Sequence, residues 1–408
     1  MKTKEITKLQ SIRFRDFKFP PTTTYATFAL YRYPAKFIPQ VIAYVLDKYG
    51  AQGMKVFDPF AGYGTVGLVS RVYGCDYELW DLNPIIEVLH RVAILKPRDI
   101  DVENLIHQIA TSDQSFVPTW SRLHYWFPKE FLPFLYRMWG FYHSLGDKYL
   151  KFLLAVPLLK TTRHFSYDDI QRQKLSKSPR SIERVHSLLK CDWKLKFLQM
   201  LRMEIEQVLK RLNEYWSLSP KEVEAIVKGG LDTLNAELDE EKDILITSPP
   251  YLQAHEYIRQ AKMDLFWLGY SESYIKRLAK LEIPYRDVKQ IPIYSKTYYN
   301  WRNKIKEDHI RKIFDNYFWG VLGALTRLQE KIQSYMFLFV GRANVRGSPV
   351  PIDCIFAEHF EEFGWVHEKT LVDKINSRRM FLYRNNPATG LEDKRMQSEY
   401  LVILRRRW

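Results

Sequence analysis

Cysteine is scarce in this chain. Cys75, Cys191 and Cys354 are the three thiols in 408 residues, and their separation makes neither a disulfide framework nor a metal cluster. The ten histidines show no His-x-x-x-His spacing and the cysteines no Cys-x-x-Cys spacing, so no metal is expected. No apolar run approaches the roughly 20 residues that span a bilayer. The opening Met1-Lys2-Thr3-Lys4-Glu5 lacks the apolar core of a signal peptide. A cytoplasmic protein is the expectation, as a monomer or weak dimer. Acidic residues are also in deficit, 47 against 62 lysines and arginines, which leaves a net charge of +15. Such a field captures polyanions, although charge alone equally fits a basic protein with no such partner. Aromatic residues make up 15% of the chain and provide flat rings able to stack on exposed bases.

The length admits two domains or one domain with a large insertion, and no repeat or low-complexity segment divides it. Residues 1–24 read as a basic N-terminal arm, with Lys2, Lys4, Lys8, Arg13, Arg15 and Lys18 interleaved with Phe14, Phe17 and Phe19. It is either an arm that touches phosphate or a tail packed on the core. A helix is predicted over 36–50, a buried strand over 54–58, a helix over 65–73, a strand over 77–80 and a helix over 84–95. This alternation argues for a parallel sheet covered on both faces. The interval 97–228 breaks it. Apolar residues there recur at three- and four-residue steps, as in Phe131, Leu135, Met138 and Trp139, which predicts a mainly helical insertion. Strands resume at 242–246 and 335–340, and 401–404 reads as a last antiparallel edge strand. The expected fold class is α/β, a Rossmann-like core over 25–96 and 229–408 with a mostly parallel sheet, plus the insertion.

Two turns carry chemistry. The first is Asp58-Pro59-Phe60-Ala61-Gly62-Tyr63-Gly64-Thr65, which follows a buried strand and opens a helix. Gly62 and Gly64 permit positive φ and close approach of a ligand to backbone N–H groups. The spacing is not the Gly-x-Gly-x-x-Gly of diphosphate sites. Asp58 and Thr65 add polar groups, so a cationic sulfonium ligand with amino and carboxylate groups suits the turn better than a diphosphate. A plain strand-to-helix turn is the alternative. Asp81 ends the next strand, at a spacing where a carboxylate accepts hydrogen bonds from vicinal ribose hydroxyls. It can equally be an N-cap before Asn83 and Pro84. Asp232, after Gly229-Gly230, can accept from an adenine amine or simply mark a turn.

The second turn is Ser248-Pro249-Pro250-Tyr251, set after the apolar strand Ile244-Leu245-Ile246. Two prolines fix the backbone and remove two N–H donors, leaving carbonyls free to face a ligand. An exocyclic base amine is a poor nucleophile until its hydrogens are accepted and its nitrogen pyramidalises. Ser248 Oγ and the Pro249 carbonyl are two acceptors, and Tyr251 can stack on the ring. A proline-rich turn that merely closes a strand is the alternative reading. Attack on a ring carbon would need a cysteine nucleophile, and no cysteine here has a paired base in its sequence context.

Together these residues resemble the S-adenosylmethionine-dependent amino-methyltransferases that modify cytosine N4 or adenine N6 in nucleic acids. Asp58–Gly64 is similar to the family's donor motif and Thr247–Tyr251 to its acceptor motif, in the Ser-Pro-Pro-Tyr form typical of cytosine-N4 enzymes. Tyr31-Arg32-Tyr33-Pro34-Ala35-Lys36-Phe37-Ile38-Pro39 looks like the upstream motif that covers the methionine end of the cofactor, and Ser398–Leu404 looks like the last strand. The resemblance covers about 25–95 and 228–408 in the α-like motif order. It implies S-adenosyl-L-methionine as cofactor, held by Tyr33, Pro34, Lys36, Asp58, Pro59, Phe60, Gly62, Gly64, Thr65, Asp81, Asn83 and Asp232. It implies catalysis by Ser248, Pro249, Pro250 and Tyr251 on an extruded base. DNA is the first expected substrate and structured or ribosomal RNA the second, with adenine N6 and a non-catalytic nucleic-acid-binding module as further alternatives.

One departure bears on the substrate. The family's recognition region lies just before the acceptor strand, whereas here the extra mass comes earlier, at 97–228. Within it Lys160, Arg163, Arg172, Lys174, Lys177, Arg180 and Arg184 outnumber Asp168, Asp169 and Glu183. This cluster is either a nucleic-acid groove or a solvated helical face.

Overall fold

The computed structural model describes residues 8–17, 19–34, 37–172, 174–252, 256–345, 347–375 and 397–407. Eight strands form one sheet: β1 (Leu9–Ile12), β2 (Lys55–Asp58), β3 (Asp76–Asp81), β4 (Ala225–Gly229), β5 (Lys242–Thr247), β6 (Ile332–Gly341), and, after the two-residue ribbon strands β7 (Asn344–Val345) and β8 (Ser348–Pro349), β9 (Trp365–Lys374) and β10 (Ser398–Arg406). Their order is β1-β9-β10-β6-β5-β2-β3-β4. Every pairing is parallel except the two made by β10. The fold is thus Rossmann-like, with one antiparallel strand.

The apolar runs explain the two covered faces. Along β5, Ile244 and Ile246 enter one core and Leu245 the other; along β10, Leu401 and Ile403 part from Val402 and Leu404 in the same way. Both faces must then be roofed by helices. The first carries α1 (Pro39–Tyr49), α2 (Thr65–Tyr73) and α3 (Ile85–Ala93), followed by the six helices of the intervening segment: α4 (Val102–Thr111), α5 (Leu123–Trp126), α6 (Leu132–Ser144), α7 (Lys148–His164), α8 (Pro179–Leu189) and α9 (Trp193–Trp216). It also carries α10 (Tyr257–Trp267) and α11 (Glu272–Lys280). The second face carries α12 (Lys296–Arg302), α13 (Asp308–Leu328) and α14 (Ile352–Glu361). The intervening helices share one continuous core with α1–α3, and buried Tyr215 of α9 donates to the Leu68 carbonyl of α2 at 2.9 Å.

Several boundaries differ from the sequence reading. Helix α1 starts at Pro39, where proline occupies the first turn without losing a bond. The antiparallel strand lies third from the sheet end, because β9 and β1 continue beyond it. Leu9–Ile12, inside the stretch read as an arm, is a sheet strand, and Phe14 beside it is fully buried against Tyr44 and Phe339. Residues 225–228, inside the stretch read as insertion, belong to edge strand β4. Lys2, Lys4, Lys18, Ala35 and Lys36 lie outside the described residues.

Candidate active site

Strand order fixes the site. The chain leaves β2 for β3 on one side, while β5 returns to the other side of β2. Loops at the carboxyl ends of β2 and β5 therefore part at a topological switch point, where open α/β sheets hold ligands. The two turns are clasped there: Thr247 Oγ1 donates to Asp58 Oδ1 at 2.6 Å, and the Phe60 N–H donates to the same oxygen at 3.1 Å. Asp58 is buried and burial pushes its carboxyl up to about 7.

The glycine turn follows from its backbone. Gly62 has φ +55° and Gly64 φ +83°, conformations that strain a residue bearing Cβ. A Cβ at Gly62 would meet the Tyr33 ring at 3.1 Å, and one at Gly64 would meet His90 Nδ1 at 3.0 Å. The turn is tied to the next strand, because the Gly62 N–H donates to Asp81 Oδ2 at 2.8 Å and the Ala61 N–H to the Trp80 carbonyl at 2.9 Å. Asp81 Oδ1 accepts from the Asn83 N–H at 2.7 Å. Burial raises Asp81 to about 6 against these two bonds. Thr233 Oγ1 donates to the Pro59 carbonyl at 2.7 Å, and Asp232 is held by Arg286 at 2.7 Å.

These elements enclose one cavity of about 820 Å³, counted with its open mouth. Of the residues expected at the site, Tyr33, Pro34, Phe60, Gly62, Asp81, Asn83, Asp232, Ser248 and Pro250 line it. Asp58, Pro59, Gly64, Thr65 and Pro249 are not among the lining residues but belong to the same turns. Tyr251 is not among the lining residues; its hydroxyl donates to Glu399 Oε1 of β10 at 3.1 Å. Glycine-turn and proline-turn residues thus share one cleft. The sequence reading missed Leu82, Leu234, Tyr257, Ile258, Glu282 and Ile283, which also line it. Glu282 is 7% exposed, accepts from the Ile258 N–H at 2.9 Å and is raised to about 7 by burial. A carboxylate set in Leu281-Glu282-Ile283 is a weak signal for such a position, and no spacing rule points to it.

The basic cluster at 160–184 is largely engaged within the chain. Arg163 lies between Asp168 (3.3 Å) and Asp264 (3.5 Å), whose carboxylate accepts from the Tyr31 hydroxyl. Arg184 donates to the carbonyls of His164, Ser166 and Asp168. Lys160 pairs with Glu204, Arg172 with Asp169 and Lys174 with Glu256, while Arg180 donates to Gln171. Lys177 sits over the rings of Tyr125 and Tyr167 at 3.6 and 4.5 Å.

No protein-family model matches the chain. Among curated proteins, it is 23% identical over 414 aligned positions to the type II methyltransferase M.MvaI of Kocuria varians, covering 91% of this chain and 89% of that one. Among solved structures, a candidate RNA methyltransferase of Pyrococcus horikoshii overlays with a TM-score of 0.31 at 10% identity, over 100% of this chain and 98% of that one. The rRNA methyltransferase AviRa of Streptomyces viridochromogenes gives 0.31 at 11% identity, over 92% and 88%. Overlays at that level carry no argument. The sequence likeness to a type II methyltransferase, over most of both chains, is the finding with weight.

Proposed function

We propose that this protein is an S-adenosylmethionine-dependent methyltransferase of nucleic acid that modifies the exocyclic N4 amine of cytosine, with DNA the first substrate. The observation that carries the reading is the shared cavity: Gly62 of the glycine turn and Asp81 at the end of β3 line the same space as Ser248 and Pro250 of the proline turn. Near full-length likeness to a type II methyltransferase supports it.

The residues fit the cofactor. Gly62 brings backbone against the cavity where a side chain would strike Tyr33. Asp81 has both oxygens set by backbone N–H groups, with lone pairs left for vicinal hydroxyls. Asn83 sets its side chain against the Tyr33 hydroxyl, and both residues line the cavity. Leu82, Leu234 and Ile283 form apolar walls suited to a flat base. When bound, the cofactor supplies an electrophilic methyl on a sulfonium.

Ser248 Oγ and the Pro249 carbonyl accept the two amine hydrogens and turn the nitrogen lone pair out of the ring. Among the described residues no carboxylate or imidazole is hydrogen-bonded to Ser248. Serine is a poor base, so its proposed role is to orient the amine; the nitrogen, made cationic by the new N–C bond, then gives its extra proton to water. Tyr251 follows Pro250 of the lining and is proposed to support the face of the base at the cavity's edge, where stacking worth roughly 1–3 kcal/mol offsets part of the unstacking cost. The residues 97–228 form the mainly helical part of the molecule beside this core and are proposed to help hold the nucleic acid.

The test is mass spectrometry of nucleosides after genomic DNA and ribosomal RNA are incubated separately with the enzyme and labelled donor. Label in 4-methylcytosine from DNA is expected. Label in the RNA alone reassigns the polymer, and label in 6-methyladenine overturns the cytosine assignment.

A further inference from the structure

The cavity has the opposite electrical character to the protein around it. The chain carries a net charge of +15, yet no lysine or arginine is among the described residues lining the cavity, whereas Asp81, Asp232 and Glu282 are. Asp232 is neutralised by Arg286. Asp81 and Glu282 have backbone amides as their hydrogen-bond donors: Gly62 and Asn83 for the first, Ile258 at the start of α10 for the second. Between them lies a wall of two tyrosines. The rings of Tyr33 and Tyr257 stack at 6.2 Å and 24°, and the charges of Asp81 and Glu282 both bear on the Tyr257 hydroxyl, which burial keeps protonated. Two amide-capped carboxylates and two aromatic faces, with no lysine or arginine among the described lining residues, form an environment for a positively charged ligand centre. They are a poor place for a phosphate.

Resting on the donor assignment above, we propose that Glu282 is a binding residue for the cationic centre of the methyl donor, and that it favours the sulfonium over the neutral thioether left after transfer. Transfer removes the methyl with its positive charge from sulfur, so the attraction from Glu282 is lost in the same event. The residue thus holds the reactive cofactor and weakens the grip on its spent form. Nothing in the Gly-rich or Pro-Pro motifs encodes it; it arrives from the loop after α11, 7% exposed, by tertiary folding alone. Glu256, Asp81, Tyr257 and Tyr33 are the ionisable groups acting on or beside it. Burial pushes its carboxyl up to about 7, with Glu256 and Asp81 adding to the shift, so full effect belongs to pH 8 and above.

Calorimetric titration of the full-length protein at pH 8 with S-adenosylmethionine and, separately, S-adenosylhomocysteine tests this. Glu282→Gln keeps an oxygen for the Ile258 N–H and removes the charge. It is expected to weaken sulfonium binding about tenfold, as a unit charge a few ångströms away in a partly screened site would, and thioether binding less than about twofold. Glu282→Asp, which keeps the charge, is expected to retain most of the preference. Equal weakening of both ligands in Glu282→Gln, or no change in either, overturns the proposal and reduces Glu282 to a cap on α10. Wild-type protein that binds neither ligand defeats the donor assignment itself, a separate outcome.

Discussion

Asp58 shows how one buried side chain can clasp two turns at a cost to the fold. It is 1% exposed, with Thr247 and the Phe60 amide as donors, and burial raises its carboxyl from 3.8 to about 7. Between those values the folded protein binds the proton more tightly than the unfolded chain does. Stability therefore falls as pH rises from about 4 to 7, and the loss is complete above that window. Asp58→Asn keeps an acceptor without the charge. Its melting temperature is expected to fall less between pH 5 and 8 than the wild type's, the gap at pH 8 being on the order of 2 kcal/mol. Asp81 and Glu282 titrate nearby, so the informative quantity is the difference between the two slopes; identical slopes would show Asp58 ionising normally. Tyr251 supports a second prediction. Its hydroxyl is held by Glu399 and its ring lies outside the cavity lining. Tyr251→Ala is expected to lose at least tenfold in turnover while binding S-adenosylmethionine within twofold of wild type. Unimpaired turnover contradicts the stacking role.

Elements were legible where local chemistry announces them. Glycines with positive φ and paired prolines both mark abrupt ends of buried strands, so β2, β5 and their turns could be placed from sequence, and the structure sets them side by side. Strands β1 and β4 were not, because four mostly exposed residues and a half-buried edge have no alternation to read. The cluster at 160–184 illustrates the converse limit. Charge counts do not reveal partners, and the partners of Arg163 come from α10 and from the loop after α7. Arg163 joins those elements through Asp264, Asp168 and the Gln260 carbonyl, which accepts at 2.5 Å. Arg163→Met would leave two buried carboxylates facing each other. A loss of about 3–5 kcal/mol is expected, seen as a lower urea midpoint with unchanged slope, while the protein still folded binds nucleic acid within twofold of wild type. A reversed pattern, with stability kept and affinity lost, would return Arg163 to the nucleic-acid surface.

At the scale of the whole molecule, the excess of positive charge and the acidic cavity divide the labour. On the proposed function, phosphates are drawn to the outside, while the cavity offers a carboxylate-lined interior to a cation. Because so many cations at 160–184 are paired internally, attraction for a polyanion must come from the summed field and from the remaining exposed lysines and arginines. That makes a quantitative prediction. Binding of a fluorescent duplex should weaken at least tenfold between 50 and 200 mM salt, with log K linear in log salt and a slope of about −0.9 for each phosphate neutralised. Binding of S-adenosylmethionine, in a cleft whose carboxylate Glu282 is buried, should change less than about twofold over the same range, since buried charges are screened little. Fluorescence anisotropy for the duplex and calorimetry for the cofactor measure the two arms on one preparation. A flat salt response for the duplex would mean that the +15 charge serves no nucleic acid, and the substrate would then have to be sought among neutral amines.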